Sequence, residues 1–360
     1  MGTFRFDVDE LAIPATPTAA GWPDFAAANR VRNAVESAAY GTTDLEMTAE
    51  EVLPGWRSQS WEHRRLFVAR SDGRVVGRGH YETLPEDSAD HTWLAVQVLP
   101  AYRRHGIGSA LLDRLEAIAR AEDRRVQIVY TPSPDAPGER LPSPTGFGSV
   151  PLGNPEVRFL QHRGYRLEQV VRASRLALPV DSAPLRRLRE AAAAQAGPDY
   201  SVVRWVDRAP AEWLPDLALL YTRMSTDAPS AGLAEPEQHW TPERIVQEEQ
   251  KAAAGPRTAL TSAVLHGPSG HLVGFTELEV PAESLRSVSQ EDTLVLREHR
   301  GRRLGMLLKA ANLELLAAEH PGHPSVTTFN AEENRHMLAV NEAIGFAPMG
   351  YEGAWRRDTA

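Results

Sequence analysis

In the second half of the chain, apolar residues recur at helical spacing at Leu304, Leu308, Ala311 and Leu315, which predicts a helix with one buried stripe. Ahead of it the period shortens. "YSVVRWV", "TALTSAVL", "HLVGFTELEV" and "DTLVL" are short runs rich in β-branched and apolar residues, and each reads as a strand. A Gly-Pro-Ser-Gly turn joins the second of these runs to the third as a hairpin. "PAEWLPDLALLYTRM" and "TPERIVQEEQKAAA" read as helices, the latter capped by Thr241 with Pro242 at its first position. After the striped helix, "SVTTFN" is a strand, "ENRHMLAVNEAI" a helix and "FAPMGYEGAW" a last strand region. Meandering strands followed by strand–helix–strand predict an α+β domain with a mixed sheet.

The first half repeats this plan. Gly77 in "VVGRG" falls on Gly274 in "LVGFT", Val98 on Val295, Arg103 on Arg300 and Gly108 on Gly305, always 197 residues apart. Such a fixed offset across strand, strand and helix indicates an internal duplication. Further on, Gly164 falls on Gly345 at an offset of 181, so the first copy holds about 16 extra residues. They lie in "TPSPDAPGERLPSPTGFGSVPLGNP", whose prolines and glycines exclude helix and interior strand and predict a long loop. Residues 183–196 read as a charged, alanine-rich helix ended by Gly197-Pro198. The expected organisation is a first domain at 1–180, a helical linker at 181–197 and a second domain at 198–360.

Composition narrows the chemistry. A net charge of −9 argues against a nucleic-acid-binding surface over the whole protein, though not against a local basic pocket. The absence of cysteine excludes disulfides, thiolate catalysis and cysteine metal sites. The histidines show no H-E-x-x-H or similar spacing, so no metal is expected. No run approaches 18 apolar residues and no secretory signal is visible in "MGTFRFDVDELAIP", so neither a membrane span nor export is expected, and a cytoplasmic location is the expectation.

Against this acid surplus, "YRRHGIGSALL" and "HRGRRLGMLLK" concentrate positive charge at the mouth of a helix in each copy. The first turn of a helix has unpaired N–H groups and the positive end of the dipole. Glycine lets the main chain approach a ligand and arginine adds charge, so each turn reads as a diphosphate cradle. A dinucleotide loop is disfavoured because "GIGSAL" lacks the third glycine, and neither turn has the G-K-[ST] of a P-loop. The plain structural alternative is a helix start with solvated arginines. Recurrence at matched positions argues against it.

"VLPAYRRHGIGSALL" resembles the acetyl-CoA signature of the GNAT N-acetyltransferase superfamily, and the element order of both halves matches that fold. The arrangement resembles tandem-GNAT proteins such as mycothiol synthase and tandem acetyltransferases of actinobacteria. The resemblance implies an α+β fold of two tandem GNAT domains, each a mixed, mostly antiparallel sheet flanked by helices. It implies acetyl-CoA as cofactor. The backbone N–H groups of Arg103, Arg104, His105, Gly106, Ile107, Gly108 and Ser109, and of Arg300, Gly301, Arg302, Arg303, Leu304, Gly305 and Met306, would hold the coenzyme A pyrophosphate. Val98 and Val295 would hydrogen-bond the pantetheine arm through their main chains. The strand at Leu294, Val295 and Leu296 would offer a backbone N–H to the developing oxyanion. One departure stands out: Gly106 becomes Arg303 in the second copy, which can still offer its N–H if its φ is negative.

Acetyl transfer needs a neutral amine, and deprotonating an alkylamine near pKa 10.4 at pH 7 costs roughly 4 kcal/mol, part of which a base offsets. By the resemblance, Glu291 or Asp292 at the start of the cofactor strand is the base, and strand alternation lets only one of them face the cleft. Glu277 and Glu279 share a face of the preceding strand and are further candidates. The first copy has Leu94 and Ala95 at the matching positions, with Asp90 and His91 a few residues earlier, where a solvated turn histidine is expected. At the family's tyrosine acid position stand Leu160 and Asn341, neither of them a phenol, and Asn341 is retained as the polar catalytic candidate. Tyr221 and Tyr351 are other possible donors. Asn330 and Asn334 read as pantetheine or substrate ligands, or as helix caps. Asp227 reads as a partner for a substrate ammonium, or as part of a turn. The expected function is an acetyl-CoA-dependent N-acetyltransferase acting on a small-molecule amine by direct transfer in a ternary complex. The second copy is expected to be catalytic on its carboxylates, although the first has the better pyrophosphate loop. The alternative is a coenzyme A-binding sensor or scaffold with degenerate sites. No nucleic-acid or membrane partner is expected.

Overall fold

The computed structural model describes residues 4–84 and 90–359, which divide into two units. The first comprises Met1–Val171, Ser230–Pro236 and Gly350–Ala360, and the second Arg172–Pro229 and Glu237–Met349. In chain order the first unit has β1 (Asp7–Leu11), α1 (Trp22–Tyr40), α2 (Ala49–Arg57), β2 (His63–Ser71), β3 (Arg74–Thr83), β4 (His91–Val98), α3 (Ile107–Ala121) and β5 (Val126–Pro132). A short hairpin, β6 (Arg140–Pro142) with β7 (Ser149–Pro151), is followed by α4 (Pro155–His162) and β8 (Arg166–Ala177). The second unit continues with α5 (Ser182–Ala196), β9 (Tyr200–Val206), α6 (Leu214–Asp227), α7 (Pro242–Ala252), β10 (Arg257–His266), β11 (His271–Pro281) and β12 (Val288–Val295). It ends with α8 (Leu304–Glu319), β13 (Ser325–Ala331) and α9 (Arg335–Ile344), and β14 (Ala347–Asp358) completes the chain.

Both units obey one rule of strand order. β1-β2-β3-β4 is an antiparallel meander, and β4 then pairs in parallel with β5. β9-β10-β11-β12 is the matching meander, with β12 parallel to β13. The crossover helices α3 and α8 supply the connection that a parallel pair requires. Their apolar stripes fill the cores: Ile107, Leu111 and Leu115 in the first unit, Leu304, Leu308 and Ala311 in the second, all at most 2% exposed. The repeated glycines have a packing reason. A Cβ at Gly77 would lie 3.1 Å from Ile107 and 3.3 Å from Leu111, and one at Gly274 only 2.7 Å from the Leu294 carbonyl.

Three expectations change. The proline-rich insertion is not wholly loop, since β6 and β7 form a separate two-stranded sheet. The helix expected as a linker, α5, buries Leu185, Ala192 and Ala196 in the core of the second unit. The end of the chain, expected to finish the second domain, belongs to the first unit: β14 pairs antiparallel with β5 from Glu352↔Pro132 to Asp358↔Val126. Trp355 on this strand is fully buried in the first unit's core, which gives that pairing its apolar driving force.

Candidate active site

Each parallel pair opens partway along. β4 and β5 are paired only through His91↔Val126, Thr92↔Gln127 and Trp93↔Ile128. Beyond that they diverge around a cleft lined by Leu94, Ala95, Val96, Gln97 and residues 129–132, with Leu112, Phe159 and Leu160 also on its wall. In the second unit the pairing of β12 with β13 stops after Ser289↔Thr327. Diverging strands leave main-chain donors without partners. Leu99 N–H donates to Val76 O at 3.0 Å, and Leu296 N–H to Val273 O at 2.9 Å. Strand N–H groups alternate in direction, so those of Val98 and Val295 point to the side that β5 and β13 have left. Both valines are therefore placed to bind an extended amide-bearing arm. By the same alternation Leu294 and Leu296 turn their N–H groups into the sheet, so neither main-chain donor faces the opening.

The two basic turns are built alike. Arg103 Nε donates to Val98 O at 3.1 Å, and Arg300 Nε to Val295 O at 2.9 Å, tying each turn to the strand before it. Two residues of each turn are left-handed: Arg104 (φ 67°) and Gly106 (φ 87°), Gly301 (φ 79°) and Arg303 (φ 58°). Glycine and arginine have exchanged places at matched positions. Arg303 thus does not have the negative φ expected of it. It holds the same backbone shape as Gly106, at a steric cost of about 1–2 kcal/mol. Neither helix start has a side-chain cap, so the first N–H groups of α3 and α8 stay available to an anion.

Space points the same way. A Cβ at Gly305 would meet nothing within 4 Å, and one at Gly108 would meet only ordinary contacts from 3.9 Å outward. The fold does not demand glycine there, although glycine inside a helix costs about 0.5–1 kcal/mol. Open space, uncapped N–H groups and arginines together fit a diphosphate. The flanking side chains are partly engaged: His105 stacks on Phe4 at 4.2 Å, and Arg302 lies 5.5 Å over the Tyr200 ring. Asp227, expected to face a substrate ammonium, instead receives Arg297 at 2.8 Å and Arg300 at 2.7 Å. It neutralises two loop arginines because α6 ends beside the turn.

The acceptor side of the second unit is acidic. Between Thr276↔Thr293 and Leu278↔Gln290 the register of β11 and β12 shifts, so Glu277 opposes both Glu291 and Asp292. This β-bulge breaks the alternation on which the expectation of a single cleft-facing carboxylate rested. Gln290 steadies it, donating through Nε2 to Glu277 O at 2.7 Å and Glu291 O at 3.2 Å. Tyr221 OH donates to Glu277 Oε2 at 3.0 Å and its ring stacks on Trp240 at 4.7 Å. Burial, reinforced by the charge of Glu279, pushes Glu277 up to about 7. Glu291 is also pushed up, by desolvation first and then by Glu279, Asp292 and Glu277, and Asp292 by desolvation. Glu291 is exposed, whereas Glu277 and Asp292 are half-buried, so the shifts of these two rest more firmly on burial than that of Glu291.

Asn341 is 1% exposed and donates to Asn330 Oδ1 at 2.7 Å, so these two candidates form one pair beside the opening strands. Asn334 is the N-cap of α9, accepting from Met337 N–H at 3.3 Å, which spends its side chain on the helix. His91 is not a solvated turn residue: it is buried between Asp90 at 2.7 Å and the Ala234 carbonyl at 3.1 Å.

The first unit holds an acidic group that sequence reasoning missed. Glu36 on α1 pairs with Arg32 at 2.7 Å and accepts from the cleft residue Gln97 at 3.2 Å. Glu352 on β14 accepts from Tyr40 OH at 2.6 Å and is pushed up to about 7 by desolvation. Glu36 and Glu352 are far apart in sequence and on no common repeat position, so no local signal joins them.

Residues 35–140 match the model of the acetyltransferase (GNAT) family. No curated protein sequence matches the chain. Among solved structures, the chain is similar to a tandem GNAT protein from the clavulanic acid biosynthesis pathway, at 24% identity and a TM-score of 0.72 over 98% of each chain. It is also similar to a GCN5-related N-acetyltransferase from Sphaerobacter thermophilus, at 16% identity and a TM-score of 0.60, covering 98% of this chain and 95% of that one.

Proposed function

We propose that this chain, which carries an acetyltransferase domain of the GNAT family within a tandem GNAT fold, moves an acetyl or other short acyl group from coenzyme A to a small cationic amine in its second unit. The observation that carries the assignment is the bulge that gathers Glu277, Glu291 and Asp292 beside the opened strand. Ionised carboxylates there draw an ammonium in. A carboxyl near neutral pKa, as at Glu277, then accepts its proton at little cost and leaves the nitrogen lone pair free. Bound acyl-CoA supplies the activated acyl group. The backbone from Arg300 to Met306 would hold its diphosphate and Val295 its amide arm. In the first unit Leu94 and Ala95 stand where the second has Glu291 and Asp292, and Leu112 and Leu160 line the same cleft, which suits retention of coenzyme A without proton transfer.

A second reading places catalysis in the first unit, on the Tyr40–Glu352 pair and on Glu36, which accepts from the cleft residue Gln97. Calorimetry with acetyl-CoA and turnover with a panel of mono-, di- and polyamines separate the two. We expect one acetyl-CoA per unit, with Gly108→Val and Gly305→Val each losing one, and Gly305→Val alone losing turnover. Loss of turnover in Gly108→Val alone would move catalysis to the first unit. Binding without transfer to any amine would leave a coenzyme A sensor or scaffold.

A further inference from the structure

Lys309 is 2% exposed in the second turn of α8 and has no hydrogen bond or ion pair among the described residues. Its ammonium lies 5.9 Å from the Phe346 ring centroid. The duplication says where it points. Lys309 stands 197 residues after Leu112, which lines the first unit's cleft together with Leu160. At the position of Leu160 the second unit has Asn341, whose Oδ1 is also buried without a donor. Two cleft-wall leucines have thus become a lysine and an asparagine, each with unspent hydrogen-bonding capacity. Leucine would suit the fold better, because a buried unpaired charge is costly.

We propose that Lys309 is the proton donor to the sulfur of the departing thiol in the second unit, in the place of the phenol that neither copy possesses. The proposal rests on the reading that this unit binds acyl-CoA. As the carbon–sulfur bond breaks, its electron pair passes to sulfur, which takes a proton from Lys309 Nζ. Free thiol leaves, the lysine is left neutral, and water restores its proton. The acceptor ammonium meanwhile loses two protons to the carboxylate cluster and through it to water, one offsetting the proton Lys309 gave to sulfur and one released, so atoms and charge balance. The acidity fits. Burial alone brings Lys309 down to about 7, and α5, β9, β10, β11, β12 and α9, which pack against α8, present no charged group that perturbs it. A thiolate of ordinary basicity, near pKa 8.5, takes a proton from such an ammonium downhill.

The test compares acetyl-CoA turnover, with the amine the panel above identifies, in a Gly108→Val background that confines binding to the second unit, with Lys309 intact and as Lys309→Leu or Lys309→Met. Both replacements are apolar and match Leu112, so folding is preserved, and coenzyme A binding is checked by calorimetry. With Lys309 present, kcat should fall as pH rises through about 7, where the ammonium gives up its proton. The apolar variants should lose kcat by about 100-fold with KM for acetyl-CoA unchanged, and lose this alkaline limb. Variants that bind coenzyme A yet keep kcat or the limb overturn the proposal. No coenzyme A bound to Gly108→Val itself overturns the underlying reading as well.

Discussion

Glu277→Gln removes one ionisation from the acidic cluster while keeping its shape. The carboxyl is raised from 4.5 to about 7 by burial. A raised carboxyl binds its proton more tightly in the native state than in the unfolded one. Its ionisation therefore costs the fold nothing below pH 4.5, and the cost grows until pH passes 7. At about 1.4 kcal/mol per pH unit, that cost is about 3 kcal/mol at pH 8 and under about 1 kcal/mol at pH 5. Glutamine carries no such cost and still accepts the Tyr221 hydroxyl. These values are ceilings, because Glu277 keeps a little water contact. For a unit of this size, about 2–4 °C accompanies each kcal/mol, so scanning calorimetry should show the second unit melting about 6–12 °C higher at pH 8, and only about 2–3 °C higher at pH 5. Turnover at pH 8 should fall in the same protein, since the proton acceptor is gone. A variant that melts lower at pH 8, or gains equally at both pH values, would refute the burial argument.

Lys309→Leu should show the opposite pH trend, because Lys309 is lowered from 10.5 to about 7: its cost is full below about 7, where it is charged in both states, and falls between 7 and 10.5, where only the unfolded chain holds the proton. The gain should be about 4 kcal/mol at pH 7, shrinking to about 2 kcal/mol at pH 9, and a gain that rises with pH in the same calorimetric scans would contradict it. Arg303→Gly should stabilise the second unit by about 1 kcal/mol by relieving a left-handed arginine, read as a higher melting temperature, and a lower one would show that the side chain matters more than the strain. Asp227→Asn should free Arg297 and Arg300, tighten acetyl-CoA binding in the second unit and steepen its salt dependence in calorimetry. Unchanged affinity at low salt would mean that these arginines do not reach the diphosphate.

Much of the architecture was legible in local pattern. The stripe at Leu304, Leu308 and Ala311, the Thr241-Pro242 helix start and the fixed offset linking Gly77 to Gly274 each depend on neighbours a few residues away, and each appears in the structure. The same holds for the basic glycine turns, whose helix starts are uncapped as an anion cradle requires. What the tertiary structure alone decided is everything set by a partner distant along the chain. Whether Glu291 and Asp292 alternate or share a bulge depends on their register against β11. Where residues 350–358 go depends on which sheet offers an unpaired edge to β14 and a core to Trp355, and that choice carries Glu352 to Tyr40. Spacing and composition encode local conformation, but they carry no record of which distant strand a segment will pair with, and here the carboxylates of both units are positioned by such pairings.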